Sequence, residues 1–347
     1  MGLSLLIIVF IPNVALAKEP EDFISEYSEL IPSEIPADPT DTEALTESIS
    51  LSVLVEHLIS ELMGRRGEIM AFYLLLLGIV ALSSFGVCAF ENMSDGVRRG
   101  ISTISSVAVF SALMPLLSSV SEALRSANGF FSSAAPIICS ISLASGASAS
   151  AAVGASGISL TAALISTVSS RILPTLGAVG LISSLLGSFG GSVNIAESAK
   201  RLYMRIFGGL SLLISITFSM QSTVASAQDT ALIRAAKYGA STLIPSVGGV
   251  VSSAMSTLLG GLSYAKGMVG ASAVGVILYI FAAPFVLLLV FRFGLSVALS
   301  LCEIMGVRDI SLSPFLSVMD VFISSYVISC LMFTFEIILL MKGGVGA

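Results

Sequence analysis

Residues 69–90 read IMAFYLLLLGIVALSSFGVCAF, an unbroken run without a charge between Glu68 and Glu91. About 20 predominantly apolar residues are what an α-helix needs to cross the hydrocarbon core of a bilayer. This run meets that length, and the rest of the chain follows its example. Of 347 residues, 55% are hydrophobic and 11% charged, with a mean hydropathy of +1.00. Soluble domains carry roughly a quarter charged residues. The expected fold class is therefore all-α, a polytopic transmembrane helical bundle.

Upstream of this span the composition inverts. Eleven of the 22 acidic residues lie between Glu19 and Glu56, where Lys18 is the lone base. The formal charge of −6 belongs to this tail, because beyond it bases outnumber acids 15 to 11. Low hydrophobicity and like charge predict an extended, disordered segment over residues 18–56. Leu51, Leu54, Val55, Leu58, Ile59 and Leu62 recur at helical spacing, which predicts an amphipathic helix over 45–63 at the membrane surface. Residues 1–17 read as a signal peptide: an apolar core from Leu3 to Ile11, a Pro12-Asn13 break, then Ala15-Leu16-Ala17 as a small-x-small cleavage site. The domains expected are thus a signal peptide (1–17), an acidic extracytoplasmic tail (18–64) and a multi-span membrane domain (65–347).

Downstream, apolar runs predict further spans at 101–120, two within the charge-free 130–170, and others at 172–195, 206–227, 239–264, 267–291 and 318–341. The stretch 293–307 is apolar but short, so seven to nine crossings are expected. A turn should fall in ASGASASAAVGASG (144–157). Arg98-Arg99 and the group Lys200, Arg201, Arg205 mark cytoplasmic loops by the positive-inside rule, while Arg65-Arg66 stands against that orientation. Arg125, Ala127, Ser132 and Pro136 recur in kind 109 residues later as Arg234, Ala236, Ser241 and Pro245, a hint of a parallel internal repeat.

No catalytic constellation is present. The sequence has no phosphate-cradling G-x-x-x-x-G-K-[ST], one histidine, and four cysteines scattered through apolar runs without C-x-x-C spacing. No enzyme activity, cofactor, metal or nucleic-acid partner is expected. The many serines should bond back to the preceding turn or to a neighbouring helix. Gly187 and Gly191 in GSFGG form a G-x-x-x-G, which favours close helix packing within the chain or in a homo-oligomer. Arg292 in LLLVFRFGLSV is the strongest intramembrane charge, with Glu303 and Glu336 as candidate partners.

The stretch 229–261 is too apolar for a loop and too broken for a plain span. Asp229 to Lys237 reads as a polar cap between spans. Pro245 removes a backbone donor, and Gly248-Gly249 adds flexibility to the chain beyond it. The segment 239–264 is thus expected to be broken or re-entrant, with Arg234, Lys237, Pro245, Gly248 and Gly249 as a candidate pore-lining or partner-docking element.

SMQSTVASAQDTALIRAAKYGASTLIPSVGGVVSSAMST (219–257), with Arg234-x-x-Lys237 followed by Ile244-Pro245-x-x-Gly248, resembles the stage III sporulation protein AE family. The resemblance implies a multi-pass component of the mother-cell membrane around the forespore. It also implies partners: an ATPase, ring-forming proteins and other membrane components of a secretion-like channel complex acting during engulfment. The competing expectation is a self-contained secondary transporter or permease for a small solute.

Overall fold

The computed structural model describes residues 51–89, 95–188, 195–243, 248–305 and 312–342. Every element among them is helical: α1 (Leu51–Gly64), α2 (Arg66–Ala89), α3 (Asp95–Ala144), α4 (Ser148–Thr167), a π-helical turn (Val168–Ile172), α5 (Leu173–Ser188), α6 (Ile195–Leu243), α7 (Gly248–Ile304) and α8 (Ser313–Lys342). The expected signal peptide and most of the acidic tail fall outside the described residues. The amphipathic helix expected over 45–63 is present as α1 from residue 51, with His57 stacked on Tyr279 of α7 at 3.9 Å between ring centroids.

Six helices are long and apolar enough to cross a membrane among the described residues, fewer than the seven to nine spans expected. Segments expected as separate spans run on as single rods. The 101–120 and 130–144 segments share α3, the 50-residue helix, which is about 75 Å long at 1.5 Å per residue. Residues 267–291 and 293–304 share α7, of 57 residues. Pro115 and Pro136 sit inside α3 and Pro284 inside α7 without ending either helix.

The boundary expected at Arg171 is likewise no break. The π-helical turn Val168–Ile172 carries helix α4 into α5 just ahead of Pro174. Proline has no N–H to give the preceding turn and its ring presses on the carbonyl four residues back, and a widened turn relieves both. The true reversal lies where small residues predicted it. Between α3 and α4 the chain turns at Gly146, whose φ of +82° is a left-handed conformation that suits glycine.

Side-chain contacts set the register. Ser106 meets Ser184, Leu117 faces Gly177 and Cys139 faces Gly154, so α3 lies antiparallel to α4–α5. Gly154 abuts Leu340, Thr161 meets Glu336 and Gly180 abuts Val318, so α4–α5 is antiparallel to α8. In contrast, α6 runs parallel to α8, through Ser317–Glu197, Lys200–Asp320 and Tyr203–Ser325. Ala196 N–H donates to Ser183 of α5, so the start of α6 lies at the same end as that of α3. Two rods, rather than the four crossings expected, separate the two basic stretches, and they lie at different depths: Arg98-Arg99 at the start of α3, Lys200 to Arg205 level with its middle. Arg125 stands near the middle of α3 and Arg234 in the last turns of α6, so the 109-residue offset does not superpose these helices.

Serine hydroxyls take the role expected of them. Those of Ser83, Ser106, Ser121, Ser142 and Ser325 each donate to the carbonyl four residues earlier, hiding a polar group inside the helix that carries it. Cys139, Cys302 and Cys330 are free thiols packed into the core or against it.

Candidate functional site

Because the registers are fixed, the charges can be placed by depth. At the start of α6, Lys200 Nζ donates to Asp320 Oδ2 at 2.7 Å, and Arg292 Nε donates to Asp320 Oδ1 at 2.6 Å. Glu197 accepts from Arg201 at 3.2 Å and from the Ser317 hydroxyl at 2.8 Å. One carboxylate on α8 thus ties α6 to α7. Arg292 is paired, but with Asp320 rather than with either expected acid: Glu303 is exposed near the end of α7, and Glu336 is buried elsewhere on α8. Asp320 sits inside an apolar run where no motif draws attention to it, although a lone carboxylate in such a run is itself the signal.

Arg65, between α1 and α2, and Glu68 in the first turn of α2 reach the same depth, lining a cavity of about 300 Å³ with Pro115, Leu116, Leu287 and Phe291. Glu122, Arg125 and Arg171 lie slightly further along, and the α3/α4–α5 register places Glu122 level with Arg171. These residues gather into a charged waist. It divides α3, α4–α5 and α7 into apolar halves on either side, with α2 on one side and most of α6 and α8 on the other.

On the α8 side of the waist, a second charged level closes the apolar layer. Asp229 of α6 is fully buried, and its two oxygens accept from the N–H groups of Ala149 (3.0 Å) and Ser150 (2.8 Å) in the first turn of α4. The residue before α4, Ala147, offers no side-chain cap. Asp229 therefore caps α4 from another helix, meeting donors that the helix cannot satisfy itself. Buried Lys266 of α7 lies within electrostatic reach of Asp229 and of Cys139. From Lys266 to Arg292, α7 rises about 39 Å with no charge between, a match to the ~30 Å hydrocarbon core plus its interfaces.

Asp229 is thus no cap between spans but a core residue of a helix that continues to Leu243. Arg234 is exposed on this extension and Lys237 lies on the same helix. Gly248 and Gly249 open α7 rather than breaking it, and Pro245 lies outside the described residues. Because Gly270 abuts Met341 near the end of α8, the α6 and α7 segments flanking 244–247 project beyond α8. The segment 239–264 is divided between the end of α6 and the start of α7, with 244–247 outside the described residues. Gly187 is half-buried on α5, and Gly191 lies outside the described residues.

The outer surface of this layer is of two kinds. Helix α6 exposes Leu202, Ile206, Leu213, Ile216 and Met220, and α8 exposes Val327, Leu331, Phe335 and Ile338. The outward face of α3 instead carries Ser118, Glu122, Arg125, Ser126, Ser132 and Ser133, and that of α4 carries Ala152, Ser156, Ser159, Ala163 and Thr167 around a single exposed leucine, Leu160. No large apolar side chain is exposed between Pro115 and Ser142 of α3, or between Thr161 and Leu181 of α4–α5. No described residue pairs with the side chains of Glu122, Arg125 or Arg171.

Among the described residues no group of three or more His, Cys, Asp or Glu side chains could hold a metal ion. The family model for stage III sporulation protein AE matches residues 44–344. Neither a curated protein nor a solved structure matches the chain.

Proposed function

Because the chain belongs to the stage III sporulation protein AE family, we propose that it is a structural or channel subunit of a secretion-like complex. That complex joins mother cell and forespore during engulfment. The subunit sits in the mother-cell membrane with its acidic tail outside the cytoplasm, alongside an ATPase, ring-forming proteins and other membrane components. It builds a passage with them and performs no catalysis of its own.

One observation carries the reading: the polar outward face of α3 and α4. Lipid tails give serine hydroxyls and charged groups nothing to bond with, so polar surface at membrane depth is turned to protein or to water. Small side chains also let another helix approach closely enough to gain contacts that lipid does not supply. The lipid-like faces of α6 and α8 leave the α3–α4 side as the one that calls for company.

The test is co-purification from solubilised sporangial membranes. Wild-type protein should bring other membrane components with it, and Ser133→Leu or Ser156→Leu should release them while the protein still inserts. Saturable solute uptake by the protein alone in liposomes would refute the assembly reading and establish a permease.

A further inference from the structure

Among the described residues, six buried side-chain polar atoms lack a hydrogen-bond partner, and three of them converge on one seam: Glu336 Oε2, Ser329 Oγ and Ser211 Oγ. Glu336 is 1% exposed on α8, and its other oxygen, Oε1, accepts from the Thr161 hydroxyl of α4. Ser329 lies two turns earlier on the same face of α8 and is fully buried. One turn before it, Ser325 meets the Tyr203 hydroxyl of α6 at 2.8 Å.

Helix α6 supplies the third side. Because it runs parallel to α8 from Tyr203 onward, Ser211 is carried two turns along to the depth of Ser329 to Glu336. Its buried face then reaches α4, where Phe218 packs against Gly157. A line of hydroxyls therefore follows the junction of α4, α6 and α8, from Tyr203 and Ser325 near the charged waist to Thr161 and Glu336 deep in the apolar layer.

Buried polar atoms are normally bonded, and a group of them left open marks a site for water or an ion. A buried carboxyl group is accommodated either protonated or with a counter-charge beside it, and no described base forms an ion pair with Glu336. Hydroxyl and carboxylate oxygens suit a hard cation. One acid among neutral oxygens balances one positive charge, whereas a divalent ion would leave net charge in apolar surroundings.

We propose that the α4–α6–α8 seam binds a partly hydrated monovalent alkali cation at Glu336 and Thr161. Its retained waters bridge to Ser329 and Ser211. The site is internal to one chain, so it stands or falls independently of the assembly reading.

The test uses the full chain purified in detergent, with NaCl or KCl replacing choline chloride at constant ionic strength and pH. Ligand that binds only the folded state raises its stability by mass action, so Tm should climb with alkali-ion concentration. Glu336→Gln should abolish the response, and Thr161→Val should move its midpoint at least tenfold higher. Where Glu336→Gln fails to fold, Thr161→Val and Ser329→Ala decide the matter, Ser329→Ala being expected to raise the midpoint about threefold. Equal Tm in choline, sodium and potassium would overturn the proposal. So would a Glu336→Gln protein that keeps the alkali response, midpoints unchanged in Thr161→Val and Ser329→Ala, or a response that follows pH and not the ion.

Discussion

Replacing Asp229 with alanine removes more from this protein than the replacement of any exposed charge. Two backbone donors, the N–H groups of Ala149 and Ser150, lose a charged acceptor at 3.0 and 2.8 Å. A hydrogen bond to a charged group contributes about 1.5–3 kcal/mol. The same change strips buried Lys266 of a neighbouring negative charge. The two bonds share one carboxylate, so Asp229→Ala should lose about 3–5 kcal/mol in all. Asp229→Asn keeps one acceptor oxygen and should lose about half of that. The assay is reversible unfolding in mixed micelles followed by circular dichroism, with Glu303→Ala as an exposed control. Lys266→Met should rescue part of the loss, making the double variant less than additive. An Asp229→Ala protein within about 0.5 kcal/mol of wild type, the range of ordinary surface substitutions, would refute the capping argument.

Three further outcomes test the architecture. A Cβ on Gly157 would run into the Phe218 ring, so Gly157→Ala should destabilise by about 1–3 kcal/mol in the same unfolding assay, while Gly129→Ala, with open space around it, should not. Asp320→Ala should lower stability by only about 1–2 kcal/mol, because Arg292 is 42% exposed and solvent screens its share. Single cysteines at 200 and 236 should label from opposite faces of sealed vesicles, with 200 reacting from the cytoplasmic side. Labelling of both from one side would remove α6 as a crossing.

Much of the bundle is legible in the sequence because apolar runs and bilayer thickness speak the same language. The spans at 206–227 and 318–341 lie within α6 and α8, the span at 69–90 coincides with α2 up to Ala89, and the small-residue stretch holds the α3–α4 turn. Charge misleads when it is treated as punctuation. Arg125 and Arg171 look like edges, yet each lies inside a continuous rod, since a helix satisfies its backbone bonds whatever its side chains do. The polar core is less legible still. Asp229 and Lys266 look like loop residues, and their meeting depends on two helices brought together only by the fold. The partner of Arg292 is likewise hidden, because a lone Asp320 in an apolar run does not say which helix it will face. Gly248 and Gly249 show the opposite limit: glycine pairs signal freedom, but a helix can begin on them as readily as break.

The length of α7 has a mechanical consequence. At 57 residues it forms a rod of about 85 Å, pinned about a fifth of the way from its C-terminal end where Arg292 grips Asp320. Moved as one rigid body about that grip, such a rod would act as a lever. A tilt of only about 5° there would swing the distant α6–α7 tip by roughly 6 Å, judged from helix rise alone. Events at the membrane face that holds Lys200 could thus be felt at the projecting segments without any helix unwinding, as leverage rather than as a change of fold.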